Sequence, residues 1–451
     1  MAHRPLISTV SQNYKMLKVL GQGCYGQVIK CLKRDTEETV AVKVLKQRHS
    51  QFKKIREIVI LEKLRCLDPD KSNIVRCHEW FHRIDQTFLV FEFLDMSLFD
   101  YMCQRKWAPL PLNGMRTIVK DVATALSALN SVGLIHADLK LDNIMLVDHQ
   151  RQPYRVRLID FGLTLHTFEA RPGLSVQPLW QRSPEILFGL QFTEAIDIWS
   201  FGTMMAEMLV GFPLFPGGHE YDVLRFIIDI LGEPPKRLLN NGIKTQKFYR
   251  RSLKYRLFNH WKFKMPVDFF TETGIKPVET RRHRLSSLDD LKTMSLHQEN
   301  STEAAGRSAS VELLKEMLQM DPRKRITPSK VLAHPFITGS HLSPSNSSHF
   351  QAEQKKKTNS LKSKDKDLKL ESITDRIKTK PAVDCDIVST PVVHPNSSLN
   401  QAASSRHSFH TPDISEPKKK KKKKIKGLFS TLKRKFSSSY VSEGNDKQSM
   451  S

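Results

Sequence analysis

Cysteine is sparse, and what there is follows no pattern. The six cysteines (Cys24, Cys31, Cys66, Cys77, Cys103, Cys385) show no C-x-x-C spacing and no companion histidine cluster, which argues against a zinc site and for a reducing compartment. Nowhere do eighteen apolar residues run together, and Met1 to Ser11 lacks the apolar stretch of a signal peptide. Membrane spanning and secretion are therefore not expected. The N-x-S/T matches at Asn300, Asn346 and Asn396 then read as chance, because glycosylation needs a lumenal route. Acidic residues are also short: 47 Asp and Glu face 72 Lys and Arg, a formal charge of +25. Such a balance favours acidic partners such as nucleic acid, anionic lipid or acidic proteins, and says nothing about fold. No internal repeat of fixed period is visible.

At 451 residues the chain can bury a sizeable core, and one large two-lobed domain followed by a tail fits the length. From about residue 14 to 93, short β-branched runs of period two are interrupted by one amphipathic segment, Lys53 to Leu64, which predicts a small sheet with one helix. From about residue 98 to 337 the period is mostly helical, as in Met115 to Val132 and Ala195 to Leu209, with brief strands near Ile144 to Val147 and Val156 to Ile159. The expected fold class is α+β, a small β-rich lobe joined to a larger helical one. Between about 241 and 307 the composition turns polar and basic and reads as an insertion, with helical character resuming at Ser310 to Met320. Residues 338–451 are dominated by Ser, Lys and Asn and include the run Lys418 to Lys424. Too little apolar surface is available there to offset chain entropy, so disorder is expected.

Five motifs carry chemistry. Gly21-Gln22-Gly23-Cys24-Tyr25-Gly26-Gln27-Val28 is G-x-G-x-x-G-x-V after the strand-like Lys15 to Leu20. Its glycines let backbone amides approach phosphate oxygens. Alone it would also suit a ligand-free Gly-rich hairpin, or a dinucleotide-binding turn. The second of these is removed by context, since a strand rather than a helix follows. Leu20, Val28 and Ala41 would flank the nucleotide. That strand reads Val40-Ala41-Val42-Lys43, the V-A-I-K type. On the helix after it, Glu57 shares a face with Ile58 and Leu61 and can pair with Lys43 to fix the ammonium for phosphate; Glu62, on a different face, is the alternative. The third motif, His136-Ala137-Asp138-Leu139-Lys140-Leu141-Asp142-Asn143, matches H-R-D-L-x-x-x-N with alanine in place of arginine. Asp138 would orient or take the proton of a substrate hydroxyl, Lys140 would steady the transferring phosphate, and Asn143 would hold Mg2+. Asp160-Phe161-Gly162 follows seventeen residues past Asn143, and its aspartate can chelate Mg2+ bridging the phosphates of ATP. The fifth, Ser183-Pro184-Glu185, stands for A-P-E; a buried Glu185 needs a cation, for which Arg325 is the candidate. Any one of these occurs by chance, but their order and spacing predict an ATP-dependent protein kinase, most simply one acting on serine or threonine.

These residues resemble the homeodomain-interacting protein kinases, in the larger group that also holds the dual-specificity tyrosine-regulated, cyclin-dependent and mitogen-activated kinases. Leu134-Ile135-His136-Ala137-Asp138-Leu139-Lys140, Asn143-Ile144-Met145-Leu146-Val147-Asp148, Glu272-Thr273-Gly274-Ile275-Lys276 and His334-Pro335-Phe336 carry the likeness, over about residues 14 to 342. It implies a serine/threonine kinase, often nuclear, acting on transcription factors and co-regulators with a preference for proline after the target. Arg182 looks like the arginine that shapes the pocket for that proline. The chain departs from the family in the activation segment. Ser175 stands where the family autophosphorylates a tyrosine, Trp180-Gln181 where two tyrosines are usual, and Lys140-Leu141-Asp142-Asn143 replaces K-P-E-N.

Two rival readings compete with the active kinase. A pseudokinase scaffold would share the fold, but Lys43, Glu57, Asp138, Asn143 and Asp160 are all present. A nucleic-acid-binding protein would exploit the basic tail, yet the lysine run has no interleaved aromatics and no base-reading helix, so only non-specific attraction to polyanions is expected. Lys418 to Phe436 reads as a nuclear import signal. Its Ile425, Leu428, Phe429, Leu432 and Phe436 also fall on one helical face, which suits an anionic membrane or a partner groove. A monomer is expected, in the nucleus and also the cytoplasm.

Overall fold

Alternating burial along the early strands sets the first lobe. In the computed structural model, which describes residues 9–22, 26–45, 51–83, 86–252, 260–294 and 300–340, six strands form one antiparallel sheet ordered β1-β2-β3-β4-β6-β5. They are β1 (Thr9–Ser11), β2 (Tyr14–Gln22), β3 (Gly26–Lys33), β4 (Thr39–Leu45), β5 (Cys77–Arg83) and β6 (Gln86–Glu92). Ile29, Cys31, Val40, Val42, Phe88 and Val90 pack with Tyr14 into a small core on one face. The pleat sends their neighbours to the other face. Val28 there lies opposite Lys43, and Lys43 opposite Leu89, across the ladder. Against this face lies α1 (Gln51–Leu64), whose Ile60, Leu61 and Leu64 join the larger core. Gly26 is required by close approach: a Cβ would lie 2.0 Å from the Val44 carbonyl oxygen.

After α2 (Pro69–Ser72) and the linker past β6, β7 (Met96–Ser97) enters a three-stranded sheet with β9 (Ile144–Asp148) and β10 (Gln152–Leu158). α3 (Leu98–Gln104) and α4 (Leu112–Ser131) follow, the second burying Met115, Ile118, Val119, Val122 and Leu126 at helical spacing. β8 (Leu134–Ile135) pairs with β11 (Leu165–His166), and α5 (Pro184–Leu187) leads to α6 (Ala195–Val210), which is buried from Ile196 to Val210. A helix apolar all round belongs at the centre of a large core. The remaining helices are α7 (Glu220–Leu231), α8 (Lys236–Asn241), α9 (Thr245–Phe248), α10 (Pro266–Thr273), α11 (Ser301–Met317), α12 (Pro328–Ala333) and α13 (Pro335–Thr338), with β12 (Tyr249–Ser252) and β13 (His260–Phe263) as a hairpin. The two-lobed α+β expectation holds. No helix among the described residues is long and apolar enough to cross a membrane.

The polar stretch from 241 to 307 carries structure that its weak periodicity hides. Tyr221 of α7 stacks on Phe263 and Phe269, with ring centroids 5.0 and 4.1 Å apart, and its hydroxyl donates to the Lys264 carbonyl at 2.6 Å. Aromatic anchors replace a continuous apolar stripe. Helix α11 starts at Ser301, nine residues before the point where helical periodicity becomes visible at Ser310. Asn300 caps it, accepting from the Glu303 amide at 2.8 Å while Glu303 returns a carboxylate at 3.3 Å. That reciprocal cap stabilises polar first turns that periodicity cannot detect. Gly23, Cys24, Tyr25 and the whole tail from residue 341 onward, with Lys418 to Phe436, lie outside the described residues.

Glu185 and Arg325 are paired, with both side chains fully buried. Two guanidinium bonds of 2.6 and 3.0 Å reach the carboxylate, and two more reach the Ala195 and Gln319 carbonyls at 2.8 and 3.0 Å. A pair so completely bonded tolerates burial, whereas one partner alone does not. Arg325→Met should therefore destabilise the fold by about 3–5 kcal/mol, read as a lowered midpoint in denaturant unfolding. An unchanged midpoint would show that Glu185 is solvated by another route.

Candidate active site

The face of the sheet that carries Lys43 turns toward α1 and the loop that follows β10. The Lys43 ammonium lies 2.6 Å from Glu57 on α1 and 2.8 Å from Asp160, which follows β10. Glu57 is thus the partner, and Glu62 instead accepts from the Trp80 indole at 2.6 Å. Burial works against the Lys43 ammonium, but the two carboxylates outweigh it and hold its pKa above the ordinary lysine value. For Asp160 too, burial opposes the charge, and Lys43 with the Gly162 amide overcomes it, so its carboxyl stays below the usual range. Burial pushes Glu57 upward against the pull of Lys43. Gly162 permits this packing, since a Cβ would already stand 3.3 Å from Asp160 Oδ1 and 3.5 Å from Glu57 Oε2.

Asp138 sits beside this cluster, buried. Its Oδ2 accepts from Lys140 Nζ at 2.7 Å and from Asn143 Nδ2 at 3.0 Å, and its carbonyl accepts from the same Nδ2 at 2.8 Å. Oδ1 is left without a donor among the described residues. Committing the Asn143 amide nitrogen leaves its oxygen available to a cation. Asn143 and Asp160 stand at the same end of the β9–β10 hairpin, the Ile159 amide donating to the Asn143 carbonyl at 2.9 Å. One amide oxygen and one ionised carboxylate make a hard oxygen set that suits Mg2+, with the remaining ligands coming from phosphate and water. No group of three or more His, Cys, Asp or Glu side chains able to hold a metal occurs among the described residues. Leu20 is exposed at the end of β2 next to Gly21, which pairs with Val28, and Ala41 lies opposite Phe91 of β6. Gly21 and Gln22 pair with Val28 and Gln27, Gly26 lies opposite Leu45, Val28 lies opposite Lys43, and Ala41 stands two residues before Lys43 on the same strand.

Three contacts that sequence reasoning missed hold the loops in place. Asp197, at the start of α6, accepts from the His136 and Ala137 amides at 2.7 and 2.9 Å. His136 places Nε2 3.0 Å from the Ile159 carbonyl and accepts from the Asp138 amide at 3.3 Å, which assigns the proton to Nε2, while its ring meets Phe161 edge-on. Gln177, buried at φ +68, is the hub of the activation segment. Its amide donates to the Ala137 carbonyl at 2.9 Å, and its Nε2 donates to the Ile196 carbonyl and Ser200 Oγ, both at 2.8 Å. Its Oε1 accepts from the Ser183 amide and hydroxyl at 2.9 and 3.0 Å. Asp197 fell within the helical stretch Ala195 to Leu209, and Gln177 carried no sequence signal.

A protein kinase domain family model matches residues 14–337. Homeodomain-interacting protein kinase 1 of Mus musculus is 45% identical over 350 residues, covering 76% of this chain and 29% of that protein. The chain belongs to this family. Homeodomain-interacting protein kinase 2 of Mesocricetus auratus is 43% identical over 350 residues, 76% of this chain and 30% of the relative. The human homeodomain-interacting protein kinase 4 is 38% identical over 349 residues, 74% and 57% respectively. The chain thus spans under a third of the first two relatives and somewhat over half of the third.

Ala137 stands where the general H-R-D motif has an arginine that could pair with a phosphorylated activation segment, and Gln177 holds the segment with neutral hydrogen bonds instead. Ser175→Ala should leave both thermal stability and protease resistance of residues 167–183 unchanged. Gln177→Ala, which strands the Ser183 amide and hydroxyl, should cost about 1–3 kcal/mol and speed cleavage in that segment. Limited proteolysis with melting curves decides between them, and a reversed order would place control at Ser175.

Proposed function

We propose that this chain is an active protein serine/threonine kinase that transfers the γ-phosphate of ATP to protein hydroxyls. One observation carries the reading: Asp138 offers an Oδ1 without a donor among the described residues while Lys140 and Asn143 hold its other oxygen, and Lys43 is fixed between Glu57 and Asp160. Lys43 would bind the α and β phosphates and Lys140 the transferring group. Asn143 and Asp160 would hold Mg2+, which supplies charge neutralisation between phosphates when bound. Asp138 would orient the hydroxyl and receive its proton. The pseudokinase alternative fits less well, because it gives no reason to keep all of these groups.

Proline direction belongs to the same proposal. Arg182 donates to the Gln177 and Val176 carbonyls at 2.9 and 3.2 Å and pairs with Glu220 at 2.8 Å. The Gln177 carbonyl, turned by its positive φ, is thereby occupied. A substrate residue lying there finds no acceptor for its amide, and proline has no N–H to satisfy. We also propose the limits 14–337 for the kinase domain, with lobes of about 14–93 and 98–337, an insertion at about 241–307, and a disordered tail beyond. Transcription factors and co-regulators are the proposed substrates, for a monomer in the nucleus and cytoplasm. Lys418 to Phe436 would serve as import signal or as contact with polyanions and anionic membranes.

Asp138→Asn should lower transfer about 10²- to 10⁴-fold, and Lys43→Met about 10²- to 10³-fold, with unfolding midpoints compared alongside wild type. Turnover equal to wild type in Asp138→Asn would remove Asp138 as the base. On an oriented peptide array, proline directly after the acceptor serine should raise the rate over alanine. No gain from proline would remove the role given to Arg182 and Gln177.

A further inference from the structure

Helix α10 turns one face to solvent with nothing against it. Of the twelve large apolar residues exposed among the described residues, five (Met265, Val267, Phe270, Ile275 and Val278) fall within the fourteen residues from Met265 to Val278. Single exposed apolar residues are normal, but a cluster of them marks a place where something binds. At 3.6 residues per turn Val267, Phe270 and Thr271 share one arc of α10, and Phe269 stands on the opposite one. Phe269 is 1% exposed, whereas Val267 and Phe270 are 73% and 49% exposed. The flank carries Asp268, 3.1 Å from Arg250 of β12, and Glu272, 2.5 Å from Lys264. Both acids of the helix are thus committed to cations. Two lysines beside it are not: Lys262 of β13 and Lys276, past the helix end, are exposed and have no ion-pair partner among the described residues. Lys262 also stands directly opposite Arg250 across the hairpin ladder, where like charges repel. The surface therefore combines an apolar stripe with uncompensated positive charge.

We propose that this face docks an acidic segment of the protein substrate, one that carries bulky apolar side chains among glutamates or aspartates. The docking itself goes beyond phosphoryl transfer, and the assignment of its occupant to substrates rests on the kinase reading. Apolar side chains of the segment would cover Val267 and Phe270, and a carboxylate reaching between Arg250 and Lys262 would relieve their repulsion. Position favours a substrate as occupant. Phe269, on the inner arc, stacks on His219 with ring centroids 5.7 Å apart, and the next residue, Glu220, pairs with Arg182 at 2.8 Å. The docking face is thereby built on the same start of α7 that supports Arg182, so a segment held there raises the local concentration of its own Ser-Pro acceptor. An anionic membrane fits less well. Helix α10 has no lysine or arginine, which a helix lying on such a surface carries on its polar face, and Glu272, half exposed, would meet the headgroups.

The test uses the full chain at physiological salt and a fluorescent synthetic peptide in which a leucine and a phenylalanine are set among glutamates. A second peptide, with alanine in their place, has the same charge and measures the attraction of the lysine run, Lys418 to Lys424, alone. By anisotropy the chain should bind the first peptide about tenfold more tightly than the second, and Val267→Ser combined with Phe270→Ser should abolish that preference. Lys262→Glu should weaken binding of the first peptide and leave the alanine peptide unchanged. All three side chains are exposed, so the substitutions spare the core. Joined by a flexible linker to a Ser-Pro acceptor, the first peptide should lower KM about tenfold in wild type and not in the double variant, with turnover of the unlinked acceptor equal in both. Equal affinity for the two peptides, or a preference that survives the double variant, overturns the docking face. So does binding of phosphatidylserine vesicles, or of a second copy of the chain, that is lost in the double variant while the two peptides bind alike. No transfer to any acceptor by wild type overturns the kinase reading instead, and the anisotropy result still decides the face.

Discussion

Lys43 Nζ, shared between Glu57 at 2.6 Å and Asp160 at 2.8 Å, ties together a strand of the sheet, the single helix packed on it and the loop that follows β10. A buried ammonium is costly alone, and so is each buried carboxylate; together they offset one another, and none can be removed without stranding the rest. The glycine at 162 and the pleat of β4 serve this contact, one by clearing space and the other by turning Lys43 away from the Val40 and Val42 core.

The loops around that contact are held under backbone strain. Ala137, Asp160 and Gln177 all adopt positive φ, at 63°, 63° and 68°, and each is a residue other than glycine. Such conformations persist only where surrounding bonds over-determine them. Asp197 supplies two of those bonds and Gln177 five, all from buried positions. By contrast, Arg56 meets Glu169 at 2.9 Å with both side chains more than a third exposed, and a pair of that kind contributes little. The rigidity of the activation segment therefore comes from neutral hydrogen bonds in the interior. Charge pairing at the surface adds only a small part.

In the larger lobe, the fully buried α6 provides the floor on which this strained region rests. It presents Asp197 to the catalytic loop at one end and Ser200 to Gln177 further along. Arg325 fixes its first turn through the Ala195 carbonyl. The polar segment after residue 241 attaches by a different principle, through the aromatic stack of Tyr221, Phe263 and Phe269.

The sequence by itself determined the elements whose signal is local. Period two marked the sheet, period 3.6 marked α4 and α6, and the motif spacing named Lys43, Asp138, Asn143 and Asp160. Even the pairing of Glu57 with Lys43 and of Glu185 with Arg325 was legible, because a buried charge demands an opposite one. Only the tertiary structure decided the rest. That Gln177 would become a hub and that Asp197 would grip two amides depend on residues distant in the chain meeting at one place. Hydrogen bonds to backbone groups leave no trace in residue type, since every residue but proline offers the same amide and carbonyl. The aromatic anchoring of residues 241–307 was hidden for a related reason: a few large rings at irregular spacing can bury as much surface as a periodic stripe.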